Sequence, residues 1–123
     1  MEQKIKRIVG RIKKNKEVMA VILFGSYVRS REYARDVDIC VVLDKKYANY
    51  EMSKKRLEYL NFAPDKFDIQ IFQLLPLNIR VKVLKEGKIL YSKNLKKLYD
   101  ISYQTIKDYF LFEPRYKDYI KAT

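Results

Sequence analysis

The sequence predicts an α/β (α+β) fold, a small mixed sheet flanked by helices. Three short apolar-rich runs, 18–24, 36–43 and 67–72, have the length of strands. Segments with helical spacing alternate with them, which is the pattern of a layered α/β unit. At 123 residues and 48% apolar content, the chain builds one core and one domain, residues 1–123.

Each element follows from local pattern. Ile5, Ile8, Val9 and Ile12 recur at i, i+3, i+4 and i+7, so residues 2–14 form an amphipathic helix with a basic outer side. Residues 18–24 are short, continuous and apolar, as a buried strand is. Ser26 to Glu32 begin a short helix, with Ser26 as its N-terminal cap. Residues 36–43 form a second strand. Its period of two puts Asp36, Asp38 and Cys40 on one face and Val37, Ile39 and Val41 on the other. Asn49 to Leu60 carry Met52, Arg56, Tyr59 and Leu60 at helical spacing. A Pro-containing loop over 61–66 leads to a third strand at 67–72. Pro76 suits the first turn of a helix whose apolar face is Ile79, Val83 and Leu84, and Gly87 suits its stop. Residues 88–91 form a short edge strand. A last helix starts at Asn94 and is limited by Pro114, with room for one further turn in the tail.

The order constrains the sheet. Ser26 closes the first strand and Asp36 opens the second, so the two meet only if those strands run antiparallel. Asp68 lies near the start of the third strand. It reaches Asp36 only if strands two and three are parallel, and the helix over 49–60 supplies the crossover.

Composition removes several classes of function. Histidine is absent, which excludes histidine bases, histidine-containing zinc sites and Ser-His-Asp or Cys-His catalysis. The single cysteine, Cys40, cannot form an internal disulfide and reads as a small core residue. No apolar run spans a bilayer, and the first residues are charged rather than signal-like, so a reducing, cytoplasmic setting is expected. No Walker-type Gly-rich lysine loop is present, which excludes a P-loop NTPase. The 27 Lys and Arg against 15 Asp and Glu give +12, a surface that attracts polyanions or simply keeps the chain soluble.

What remains is carboxylate chemistry. Asp36 and Asp38 share a strand face, and Asp68 joins them from the neighbouring strand. Three carboxylates together repel unless cations neutralise them. Oxygen-only ligation suits Mg²⁺ or Mn²⁺, and two such ions can align an attacking hydroxyl, an α-phosphate and a leaving pyrophosphate. The turn at Gly25-Ser26 can bring backbone N–H groups and a hydroxyl to phosphates, and Arg29 can neutralise a triphosphate. Arg31 and Arg35 are weaker candidates for that task.

Phe24-Gly25-Ser26, Arg29, Asp36-Val37-Asp38-Ile39 and Asp68 resemble the signature of the DNA polymerase β-like nucleotidyltransferase superfamily. The short length and the segment 76–91, with Arg80, Glu86-Gly87-Lys88 and Leu90-Tyr91, resemble its minimal nucleotidyltransferase (MNT) branch. Ser30 and Arg35 depart from that pattern, standing where Gly and Ser are common. The resemblance implies that Gly25, Ser26 and Arg29 bind the phosphates of ATP. It implies that Asp36 and Asp38 ligate Mg²⁺, and that Asp68 completes the metal site and helps deprotonate the acceptor. Many MNT proteins of this size are antitoxins that transfer AMP to a tyrosine of a HEPN-domain toxin, so the resemblance makes such a toxin the expected partner.

Other readings use the same residues differently. An MNT-fold subunit could neutralise a toxin by contact without catalysis. A small molecule or RNA could be the acceptor, but the chain has no room for a second substrate-binding domain, so a homo- or hetero-oligomer would have to complete the site. A non-catalytic nucleic-acid binder explains the charge and leaves the carboxylates unexplained.

Overall fold

The computed structural model describes the backbone of residues 1–31 and 36–122 and the side chains up to residue 112 within those ranges. Among the described residues, five helices and four strands alternate: α1 (Glu2–Ile12), β1 (Val18–Phe24), α2 (Ser26–Arg29), β2 (Val37–Leu43), α3 (Asn49–Asn61), β3 (Phe67–Ile71), α4 (Leu77–Glu86), β4 (Lys88–Ser92) and α5 (Leu95–Ala122). A 3-10 turn, Phe72–Leu74, follows β3. Strand order is β3-β2-β1-β4. β1 pairs antiparallel with both β2 and β4, and β2 pairs parallel with β3. The sheet is mixed, as the site geometry requires.

Side chains of opposite strand faces feed two cores. Val37, Ile39, Val41 and Leu43 of β2 pack with Ile5, Ile8, Val9 and Ile12 of α1 and with Met52 and Tyr59 of α3. Cys40 and Val42 point the other way, toward Phe72, Val83 of α4 and Leu98 of α5. The sheet is thus sandwiched between two helical layers. Cys40 is fully buried, and burial pushes its thiol well above the usual range, so it is a core residue rather than a nucleophile.

Several local expectations are corrected. Ser26 does not cap α2: Gly25 occupies the cap position and Ser26 is the first helical residue. The helix stops at Arg29, and the expected extension to Glu32 runs into residues 32–35, which lie outside the described ones, as does Arg35. Gly87 ends α4 without a left-handed turn, at φ −74°. Its small size is needed for another reason, because a Cβ there would collide with the Val83 carbonyl and with Ile22. Pro114 does not limit the last helix, which runs on to Ala122. A proline deletes one donor from the ladder, and the residues on either side keep theirs. No helix among the described residues is long and apolar enough to cross a membrane.

Candidate active site

One end of the sheet collects the C-terminus of β1 and the N-termini of β2 and β3. Antiparallel pairing sets Phe24 opposite Asp38. Parallel pairing sets Asp38 opposite Asp68. Side-chain alternation sends both carboxylates to the face that carries Cys40 and Val42, toward α4 and α5. Asp36 lies one residue before β2 and is exposed.

Gly25 has φ 79° and ψ −155°, a conformation that is essentially open to glycine alone. Its missing side chain matters as much. A Cβ at this position would fall on Asp38 Oδ2. The Asp38 carboxylate is therefore packed directly over the α-carbon of the Gly-Ser turn. Any ligand held by that turn and by the start of α2 is held beside Asp38.

The electrostatics are those of crowded anions. Burial raises the Asp38 pKa above its usual value of 3.8. The charges of Asp68 and Asp36 raise it further, and Arg29 acts weakly in the other direction. Asp68 is steadied by neighbours: Arg56 Nη2 of α3 donates to its Oδ1 at 3.1 Å, and Gln70 Nε2 donates to its Oδ2 at 2.8 Å. Among the described residues, no three His, Cys, Asp or Glu side chains stand close enough together to hold a metal ion. The groups whose charges raise the Asp38 pKa are carboxylates, whose oxygens are of the kind that a hard divalent cation takes.

A small pocket of about 180 Å³ lies beside Gly25, lined by Phe24, Arg29, Ile79, Lys82, Val83 and Glu86. Arg29 forms an exposed ion pair with Glu86 at 3.5 Å. Arg31 instead pairs with Glu2 of α1, at 2.6 Å, and faces the Tyr27 ring. Arg80 donates to the Leu75 carbonyl at 3.0 Å and serves the start of α4. Sequence pattern had no means to bring Arg56, Lys82 or Glu86 to the site, since each arrives from a helix by tertiary packing.

Residues 3–96 match the family model for the polymerase beta nucleotidyltransferase domain. A relative from Methanocaldococcus jannaschii, named a protein adenylyltransferase, is 34% identical over 83 residues. That match takes in 65% of this chain, and the chain spans only 61% of the relative's length. Among solved structures, an MNT antitoxin in complex with a tri-AMPylated Shewanella oneidensis HEPN toxin aligns with a TM-score of 0.73 at 16% identity, covering 98% of this chain and 96% of the other. A toxin–antitoxin structure with AMP-PNP aligns with a TM-score of 0.72 at 18% identity, with 98% and 96% coverage. At such identities the structural likeness speaks for the fold. The family match covers most of the chain, and this chain belongs to the polymerase beta nucleotidyltransferase family.

Proposed function

We propose that this protein is a Mg²⁺-dependent adenylyltransferase, the MNT antitoxin of a toxin–antitoxin pair, which transfers AMP from ATP to a tyrosine of a HEPN-domain toxin. The observation that carries the reading is the contact of Asp38 with the Gly25-Ser26 turn, with Asp68 in register beside it. The adenylyltransferase name of the archaeal relative and the AMPylated toxin of the structural neighbour support the choice of acceptor.

The residues divide the work. Gly25 and Ser26 hold the phosphates at the start of α2, where backbone N–H groups are free of helical partners. Arg29 exchanges its Glu86 partner for the triphosphate. Asp36, Asp38 and Asp68 would have to draw closer together to hold Mg²⁺, which would neutralise the phosphate oxygens when bound. Asp68 accepts the phenolic proton of the toxin tyrosine. The phenolic oxygen forms a bond to the α-phosphorus, the bond from that phosphorus to the bridging oxygen breaks, and pyrophosphate leaves.

Labelled ATP, Mg²⁺ and the co-expressed toxin test this directly. The toxin should gain the mass of adenylate, and Asp38→Asn should cut transfer by at least about 100-fold. Toxin neutralisation with no added mass, unaffected by Asp38→Asn, would establish inhibition by contact instead.

A further inference from the structure

We infer that Arg56 is a positioning residue for Asp68, a clamp that reaches the site around the open edge of the sheet. The inference deepens the adenylyltransferase reading and rests on it for the role of Asp68. β3 is an edge strand, and α3 covers the sheet face opposite the one toward which Asp68 projects. Arg56 nevertheless reaches both. Its Nε donates to the Ile69 carbonyl at 2.7 Å, which fixes the guanidinium against the backbone of β3. Its Nη2 then lies 3.1 Å from Asp68 Oδ1. The second carboxylate oxygen is taken by Gln70, which shares the Asp68 face two residues on.

Two consequences follow from the chemistry of the pair. A carboxylate that accepts from one donor on each oxygen is restrained from rotating, which favours one direction for its remaining lone pairs. Lysine could supply the charge but not the planar fork that binds a carbonyl and a carboxylate together. The same guanidinium is also a positive charge beside a carboxylate that would help to hold a divalent cation. The Arg56 charge would therefore oppose cation binding at Asp68. Arg56 supports the geometry of proton transfer and weakens cation binding.

Those opposite signs separate a clamp from a merely structural arginine. Arg56→Gln should lower kcat for AMP transfer by about 10- to 100-fold and leave KM for ATP within about twofold. Mn²⁺ affinity in the presence of AMP-PNP, read by electron paramagnetic resonance, should rise by about tenfold, because a competing charge is gone. Arg56→Lys should keep Mn²⁺ affinity near the wild-type value and still lose kcat. Gln70→Leu, which frees the other oxygen without changing charge, should lower kcat with Mn²⁺ affinity unchanged.

The clamp is overturned if Arg56→Gln transfers AMP at the wild-type rate. It is equally overturned if kcat, Mn²⁺ affinity and melting temperature fall together in the Arg56 variants. Should wild type transfer no AMP to any partner, the functional reading fails. The Mn²⁺ comparison still decides whether Arg56 competes for Asp68.

Discussion

At the scale of single residues, the candidate site sets the crowding of carboxylates against folding. Asp38 is partly buried, pressed on Gly25 and faced by two other carboxylates. A carboxyl whose folded pKa exceeds its unfolded one binds more protons in the native state. Its contribution therefore favours folding below the unfolded value of about 3.8 and is lost as pH rises through the folded pKa. At neutral pH and without divalent metal, Asp38 opposes folding. Asp38→Asn should raise the melting temperature in chelator by about 2–4 °C, and the gain should shrink at pH 4. A calorimetric scan that finds the variant less stable in chelator at pH 7 would contradict the crowding argument. The shared face of Asp38 and Asp68 was legible in the sequence because a strand's period of two is a local rule, whereas Asp36, expected on the same strand face, lies just before β2. The intimacy of Gly25 and Asp38 follows from antiparallel pairing across a short connection, which the sequence also implied. Arg56 was visible only as a helical position, because which strand edge it reaches is decided by how α3 packs.

At the scale of elements, polar ties between layers matter as much as apolar faces. Glu17 stands at the entrance to β1, where Lys55 Nζ donates to its Oε1 at 3.1 Å and the Tyr59 hydroxyl donates at 3.2 Å. Both partners lie on α3, so the carboxylate pins that helix to the far end of the sheet. Burial tends to raise the Glu17 pKa, but a backbone hydrogen bond, Lys55 and Tyr59 outweigh it and the net shift is downward. A lowered folded pKa stabilises the protein above the unfolded value of 4.5 and ceases to do so as pH falls through the folded one. Glu17→Gln should cost about 1–2 kcal/mol in urea unfolding at pH 7, with the difference from wild type closing below pH 4.5. A constant difference across that range would mean that the tie is not ionic. The sequence disclosed helices by their apolar periods, as α1 illustrates with all four predicted positions buried. It misplaced the end of α5, because a proline is a local penalty of about 3 kcal/mol that the rest of a long helix can outweigh.

At the scale of the whole molecule, topology was the most legible property and surface function the least. The requirement that Ser26, Asp36 and Asp68 meet implied one antiparallel and one parallel pairing, and both are present. Surface use is harder because exposed side chains answer to partners rather than to the fold. Tyr27 and Tyr59 are buried, while Tyr99 and Tyr103 of α5 are 61% and 70% exposed, although their local sequences give no such distinction. Charge is the property that acts over the longest range. A net +12 on 123 residues creates a positive field felt beyond contact distance, within a Debye length of about 8 Å at physiological salt. If the proposed partner presents an acidic surface, that field accelerates encounter and does little once the complex has formed. Raising salt from about 0.05 to 0.5 M should then slow association by about 10- to 100-fold and change dissociation by less than about threefold. Surface plasmon resonance with the toxin immobilised separates the two rates. A salt effect confined to dissociation would place the important charges inside the contact, and an association rate indifferent to salt would leave the positive surface without a part in capturing the toxin.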